Sequence, residues 1–293
     1  MLLASLLFAS MGVCVKIASA FFSSAELVFW RGVIGVLFMG AFARARGVSL
    51  RTAVPGMHLW RATVGVVALS AWFYAIAHLP LPTAMTLNYM SSVWIAAFLV
   101  GGSLLLPKDG KAGKSLAQGP LVLTVLAGFA GVVLMLQPTI DKNQGFAGLI
   151  GLLSGMCAAF AYMQVMALAR SGEPDSRTVF YFAVGTVLAG AVGMAFTGLS
   201  TWNWQHALWL IPVGVLASLG QLCMTRAYSR GATLVVANLQ YAGIIFSALY
   251  SLLFFGDSIP LVGWLGMALI VASGIGATVL RARAAPDAPA EEH

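Results

Sequence analysis

Long apolar runs separated by short polar breaks dominate the chain from residue 1 to residue 281. The breaks carry turn or charge signals, such as LPLP at 79–82 and GEPD at 172–175. A helix needs about 20 apolar residues to cross the hydrocarbon core of a bilayer. Because lipid cannot hydrogen-bond the backbone, such runs form helices. The pattern predicts an all-α integral membrane protein with ten transmembrane helices, at 1–20, 27–43, 60–79, 82–106, 119–138, 145–169, 178–199, 206–228, 231–255 and 259–281.

The positions of the basic residues predict the orientation of these spans. Only 9% of the residues are charged, against about 25% in soluble proteins. Lys and Arg favour cytoplasmic loops, and with the N-terminus inside, the outward connections hold only Lys142. The sequence therefore predicts a multi-pass protein of the cytoplasmic (inner) membrane with both termini cytoplasmic. The inward connections hold Arg44, Arg46, Arg51, Arg61, Lys108, Lys111, Lys114, Arg170, Arg177, Arg226, Arg230, Arg281 and Arg283. This scatter over loops, despite a net charge of +7, does not indicate a nucleic-acid partner.

The two halves of the chain resemble each other. An offset of 150 residues aligns Thr83 with Thr233 and Asn88 with Asn238 without a gap. Five spans in each half are an odd number, so the second half enters the membrane upside down. Inverted repeats are characteristic of secondary transporters, whose site lies between the halves at mid-membrane. We expect a first repeat at 1–139, a second, inverted repeat at 140–283, and a disordered tail at 284–293.

Both halves resemble the repeat of the drug/metabolite transporter superfamily, in its EamA-type branch of ten-helix exporters. The resemblance rests on ELVFWRGVIGVLF at 26–38, on AIAHLPLPTAMTLNYMSSVWIAAFLV at 75–100, and on TRAYSRGATLVVANLQYAGII at 225–245 with the segment that follows it. It implies alternating access and export of a small metabolite from the cytoplasm. Amino acids, aromatic ones included, are the first candidates, because the polar and aromatic residues are similar to those of the aromatic amino acid exporters.

Four spans each carry a stripe of polar and aromatic residues at helical spacing, which together could enclose an amphipathic cavity. The asparagines at 88 and 238 either bind substrate or hold neighbouring helices together. Lys16 is an intramembrane cation and thus a candidate ligand, although its long side chain could also reach the interface. The candidate substrate-binding residues are Asn88, Asn238, Tyr74, Tyr89, Ser92, Tyr241, Gln221, Trp94, Tyr162, Lys16 and His78.

The remaining alternatives concern the solute and the type of protein. All nine acidic residues fall in loops, at span ends or in the tail, which disfavours proton-coupled export of cationic drugs. The four histidines are dispersed, so the sequence predicts neither an enzyme nor a metal site, and no cofactor. A non-transporting scaffold or receptor, or an exporter of nucleobases or drugs, stays open as an alternative. Spans five and ten are expected at the periphery, where a homodimer could form.

Overall fold

The structure, a computed structural model, describes residues 1–95, 142–231, 239–256 and 258–284, together with isolated positions between 98 and 134 and residue 236. Every regular element in these ranges is helical. In chain order the helices are α1 (Leu2–Ala18), α2 (Ser24–Ala45), α3 (Pro55–His78), α4 (Leu81–Tyr89), α5 (Lys142–Arg170), α6 (Asp175–Thr197), α7 (Trp204–Ala207), α8 (Leu210–Arg230), α9 (Ala242–Tyr250) and α10 (Leu261–Ala284).

The helices follow the predicted spans closely wherever the structure describes them. Five helical stretches are long and apolar enough to cross a membrane, and Leu2–Ala18, Ala242–Phe255 and Leu261–Gly276 are shorter apolar helices. The helix ends carry the expected signals: Ser23 and Glu26 form a capping box at the start of α2, and only residues 79 and 80 separate α3 from α4. Of the predicted fifth span (119–138) the structure describes only isolated positions between 123 and 134, and of the tail only residue 284.

Large apolar side chains cover the outside of the helix bundle. Leu37, Leu188, Phe196 and Leu253 expose between 64% and 87% of their surface. Monomeric soluble proteins rarely expose apolar patches of this extent. The outer surface is therefore suited to contact with lipid chains.

The main helix contacts join the N-terminal half (α1–α4) to the C-terminal half (α5–α10). The principal pairs are α2 with α6, α3 with α5, α1 with α8, and α4 with α9. Glycines bring α2 and α6 together: a Cβ at Gly32 would lie 2.7 Å from the backbone nitrogen of Val187, and one at Gly190 would lie 2.6 Å from the Cα of Phe29. Small residues at such crossings allow two backbones to approach closely in a membrane.

The start of α3 differs from the predicted span. The sequence places it at residue 60, but Pro55 occupies the first turn and the helix begins there. Proline is well suited to this position, because its missing N–H has no helical partner to lose. As a result Arg61, interpreted above as a loop cation, lies inside α3 and is only 3% exposed.

Candidate substrate-binding cavity

A narrow cavity of about 50 Å³ lies between the two halves in the middle of the bundle. Both halves contribute to its wall, from α1, α3 and α4 on one side and α5, α6 and α8 on the other. Ligand pockets usually measure about 300–1,000 Å³, so a metabolite fits only if the halves move apart. The lining residues are Phe8, Arg61, Gly65, Ala68, Leu69, Trp72, Asn88, Tyr89, Ala158, Ala161, Tyr162, Phe182 and Gln221.

Four of the predicted site residues meet in this cavity: Asn88, Tyr89, Tyr162 and Gln221. Asn88 is 5% exposed, and its Nδ2 donates to the Ser154 hydroxyl of α5 at 3.1 Å. The Tyr89 hydroxyl and the Gln221 Oε1 are buried without a hydrogen-bond partner among the described residues. Asn88 thus holds two helices together and lines the cavity, and two further cavity-lining residues beside it each carry a polar atom with no hydrogen-bond partner among the described residues.

A hydrogen-bonded chain of three side chains borders the cavity. Tyr162 and Tyr228 stack with ring centroids 5.4 Å apart. Between them, Gln240 accepts from the Tyr228 hydroxyl at 3.0 Å and donates from Nε2 to the Tyr162 hydroxyl at 3.4 Å. Gln240 and Tyr228, which the sequence analysis did not select, therefore fix the position of Tyr162.

Four other predicted residues lie away from the cavity wall or outside the described residues. Trp94 is half-buried and stacks on Phe98 at 6.0 Å. Ser92 and Tyr241 are buried, and the Tyr241 ring packs against the α10 backbone, where a Cβ at Gly274 would collide with it. Asn238 lies outside the described residues.

Lys16, Tyr74 and His78 lie together near one end of the bundle and line no part of the cavity. The Lys16 ammonium donates to the carbonyls of Leu79 at 2.6 Å and Ala77 at 3.4 Å, where α3 ends. A cation is favourable there, because the last carbonyls of a helix carry partial negative charge. His78 is exposed, stacks on Tyr74 at 4.1 Å and shares a 2.8 Å hydrogen bond with the Tyr74 carbonyl. Substrate binding by Lys16, Tyr74 and His78 stays a prediction.

Two buried cations near the cavity were not among the predicted site residues. Arg61 lines the cavity, and its Cζ lies 4.2 Å from the ring centroid of Phe182. Arg31, which the sequence places near the end of its span, is 4% exposed and lies 5.1 Å from the same centroid. The Glu26 carboxylate forms no ion pair with Arg31; it accepts from Ser23 and Ser200 instead.

A polar network crosses between the halves at the end of the bundle formed by residues 46–54, 171–174 and 226–230, here called the basic end. Glu173 accepts from Thr52 at 2.9 Å, from His58 at 3.0 Å and from Arg177 at 3.0 Å. Arg177 also donates to the Ser49 carbonyl at 2.8 and 3.0 Å. Burial raises the pKa of the Glu173 carboxyl, but the hydrogen bonds from His58, Thr52 and Arg177 outweigh it and hold that pKa below its ordinary value.

A second contact between the halves lies at the opposite end, formed by residues 19–23, 79–80 and 198–203 and here called the aromatic end. Glu26 accepts from the Ser200 backbone N–H at 2.9 Å and from the Ser200 hydroxyl at 2.5 Å. Beside it Trp202 lies 5.4 Å from Trp30, and Phe21 stacks on His206 at 3.5 Å. Tryptophans of this kind are typical of membrane–water interfaces. The cavity is therefore bounded by a polar contact between the halves at each end.

Apolar spans, a lipid-facing surface and a closed, partly polar cavity between two halves define a multi-pass membrane transporter. The chain belongs to the EamA-like transporter family, which matches residues 1–105 and 145–279. This family lies in the drug/metabolite transporter superfamily, so a small-molecule substrate and a bilayer environment follow from membership.

Individual relatives carry names for different solutes. The chain is 32% identical over 274 residues to the Pseudopaline exporter CntI of Pseudomonas aeruginosa, covering 92% of both chains. It is 27% identical over 255 residues to a riboflavin transporter of Rhizobium johnstonii, covering 87% of this chain and 80% of the relative. A solved crystal structure of another protein aligns with a TM-score of 0.68 over 96% of both chains at 21% identity, which supports the fold alone.

Proposed function

We propose that this protein is a secondary transporter that exports a small amphipathic metabolite from the cytoplasm by alternating access. The observation that carries the proposal is the central cavity, which both halves line and polar contacts close at either end. In alternating access the two halves rock against each other around one site. Opening the basic end would admit substrate, and opening the aromatic end would release it.

The packing pairs support an inverted repeat of five helices, 1–139 and 140–283, and thereby the ten-helix arrangement. A repeat of this kind makes α1 equivalent to α5, α2 to α6, α3 to α8 and α4 to α9. The contact between α3 and α5 is then equivalent to the contact between α8 and α1, and the contact between α1 and α9 to the contact between α5 and α4; all four contacts are present. The α2–α6 and α4–α9 pairs each map onto themselves. A pseudo-twofold axis in the membrane plane predicts this set of pairs.

The polar contacts at the aromatic end and at the basic end are also equivalent when the two halves are exchanged. At the start of α2, Glu26 bonds to Ser200, which follows α6. Just before α6, Glu173 bonds to Thr52, which follows α2. Local turns also interrupt the helical chain beside the cavity in both halves, at Met90 and at Tyr241. Discontinuous helices in equivalent positions commonly form transporter sites.

The basic end supports the cytoplasmic placement of the loops that meet there. Arg46, Arg51, Arg177 and Arg230 lie at this end of the described helices. By the bias of Lys and Arg toward cytoplasmic loops, this end faces the cytoplasm of the inner membrane and both termini lie inside. A homodimer through peripheral helices stays a prediction, since only isolated positions of the fifth span are described.

Amino acids, aromatic or otherwise apolar, are the first solutes to test. The cavity places Tyr89, Tyr162 and Trp72 beside Asn88 and Gln221, which suits a flat apolar body with polar ends. The names of the relatives add riboflavin and pseudopaline to the candidates. Nucleobases and cationic drugs complete the panel.

The test is counterflow of labelled solutes in liposomes that contain the purified, full-length protein. Gln221→Ala is the site variant, because Gln221 lines the cavity and its Oε1 bonds to no described residue. Gly145→Ala is the matched control, because the added methyl would meet nothing within 4 Å. We expect flux of at least one solute in wild type and control, and a raised KM in Gln221→Ala. Folded protein that carries no solute of the panel would favour the scaffold or receptor alternative.

A further inference from the structure

The two buried arginines beside the cavity have few polar partners. Arg61 is 3% exposed and Arg31 is 4% exposed. The Nε and Nη1 atoms of Arg61 and the Nε atom of Arg31 are buried with no hydrogen-bond partner in the described part of the chain. A cation held inside a membrane protein is energetically costly and usually marks a functional site.

The acidic side chains that the structure describes are bound elsewhere. Glu26 accepts from Ser23 and Ser200 at the aromatic end. Glu173 accepts from Thr52, His58 and Arg177 at the basic end, and Asp175 accepts from the Ser229 hydroxyl at 2.9 Å. None of these three carboxylates forms an ion pair with Arg31 or Arg61, so the positive charge near the cavity is not neutralised by them.

Phe182 is the group that both arginines share. The Arg61 and Arg31 Cζ atoms lie 4.2 and 5.1 Å from its ring centroid. The two charges are thus separated by less than a Debye length, which is about 10 Å at 0.1 M salt. The electron-rich ring face attracts each cation, but the ring carries no net charge. Two like charges held this close leave a strongly positive potential beside the cavity.

We propose that Arg61 binds a carboxylate of the substrate, and that Arg31, which lies near the same Phe182 ring, strengthens the same anion site. The proposal deepens the proposed transport function and rests on it for the identity of the cavity as the substrate site. Arg61 lines the cavity, whereas Arg31 does not. The planar guanidinium can hold a carboxylate through two parallel hydrogen bonds. The substrate class is therefore a small carboxylate or zwitterion, and a neutral or cationic solute of the same shape is discriminated against.

Gly65 makes room for this arrangement. It lies one turn beyond Arg61 on α3, and an added Cβ would collide with the Arg61 Nη1 and lie 2.8 Å from Phe182 Cε2. Gly65→Ala therefore displaces the guanidinium while leaving its charge in the protein. Gly56 on the same helix is the matched control, because a Cβ there meets nothing within 4 Å.

The experiment measures ligand binding and transport separately on the full chain. Binding is read from the shift in melting temperature of detergent-solubilised protein, with carboxylates and their amides as matched probes: phenylalanine and phenylalaninamide, tryptophan and tryptophanamide, citrate and its triamide. We expect carboxylates to stabilise the wild type and Gly56→Ala more than the amides do. In Arg61→Gln and Gly65→Ala, affinity for the carboxylate should fall about ten- to hundredfold.

The melting temperature of the empty protein separates a ligand role from a structural one. If Arg61 serves a ligand, removing its unpaired charge should leave the ligand-free melting temperature of Arg61→Gln equal to that of wild type or higher. A lower melting temperature with unchanged affinity would show that the guanidinium serves folding, and would overturn the proposal. A panel in which no carboxylate binds better than its amide would overturn it too.

Liposome flux distinguishes this proposal from the transport function itself. If carboxylates bind in an Arg61-dependent manner but no solute crosses, the anion site stands and the transport function fails. If a solute crosses equally well as carboxylate and amide, and Arg61→Gln leaves its flux unchanged, transport stands and the anion site is refuted.

Discussion

Glu173→Gln is expected to open the basic end of the cavity. The carboxylate accepts two hydrogen bonds, from Thr52 and His58, that tie the segment before α3, and α3 itself, to the α5–α6 turn; a third, from Arg177, lies within its own half. An amide of the same shape keeps one acceptor oxygen and places a donor where the second acceptor stood. With the amide oxygen kept toward His58 and Arg177, which both donate to the same Glu173 oxygen, the new donor faces the Thr52 hydroxyl, and all three hydrogen bonds lose the negative charge of the acceptor.

The free-energy change of the closed state follows from the hydrogen bonds to Glu173 that are weakened when the acceptor loses its charge. Hydrogen bonds to a charged group contribute about 1.5–3 kcal/mol each, and Arg177 keeps its bonds to the Ser49 carbonyl. We therefore expect the closed basic end to lose about 2–4 kcal/mol, which corresponds to a shift of about 30- to 1,000-fold toward the open state.

Cysteine accessibility can measure this shift. Ala68 lines the cavity and is 6% exposed, so the thiol introduced by Ala68→Cys should react slowly when both ends are closed. A membrane-impermeant maleimide is added from the side of the basic end to protein whose own thiols are first replaced, at Cys14, Cys157 and Cys223. Glu173→Gln should accelerate labelling from that side.

Glu26→Gln is the matched control at the opposite end. At the aromatic end the amide keeps only one acceptor oxygen for the bonds from Ser200, and that oxygen is uncharged, so labelling should accelerate from that side instead. Equal labelling rates in wild type and Glu173→Gln from the basic end would refute the assignment of Glu173 to the closure of the cavity.

Three further predictions follow. The folded-state pKa of Glu173 is lowered, so its hydrogen bonds stabilise the closed basic end above its unfolded pKa of about 4.3 and are lost as pH falls through the folded value. The labelling rate from that end, divided by the rate at which a free thiol reacts with the same maleimide at the same pH, should therefore rise below about pH 4 in wild type, with a much smaller rise in Glu173→Gln. Gly155→Ala places a Cβ 3.1 Å from the Asn88 carbonyl oxygen, so overpacking should lower stability by about 1–2 kcal/mol, whereas the unhindered Gly145→Ala should leave the melting temperature unchanged or raise it. The Asn88–Ser154 hydrogen bond should give a coupling of about 0.6 kcal/mol in a double-mutant cycle of unfolding; a coupling near zero, with weaker substrate binding in Asn88→Ala alone, would assign Asn88 to the substrate.

Most of the described helices could be predicted from hydropathy, because the bilayer fixes the length of an apolar run. The turn between α3 and α4 shows why the boundaries were also close: Pro80 and Pro82 end one helix and begin the next. Helix packing could not be read in the same way. Gly32 and Gly190 set the approach of α2 to α6, yet the chain holds 32 glycines, and periodicity does not tell which of them meet another backbone.

The spacing of polar and aromatic residues along the helices predicted part of the cavity wall. It did not predict contacts that depend on residues far along the chain. Asn88, Tyr89, Tyr162 and Gln221 share the cavity, since each lies on the inner stripe of its helix. Lys16 is also a polar residue within a predicted span, but its ammonium donates to the Leu79 carbonyl at the end of α3. Only the three-dimensional neighbour reveals that difference.

Arg61 shows how a small shift in a helix boundary changes the interpretation of a residue. As a loop cation it counts toward the inward charge bias, and that bias persists without it. With α3 beginning at Pro55, Arg61 lies six residues into the helix, up to about 9 Å from its start. At that depth the side chain extends along α3 over Gly65 and packs on Phe182. A buried cation without a carboxylate partner is stable there only if another interaction offsets the free-energy cost of its desolvation. The cation–π contact with the Phe182 ring offsets part of that cost. An anionic group on the substrate would offset the rest, so that binding of the substrate would itself stabilise the occupied cavity.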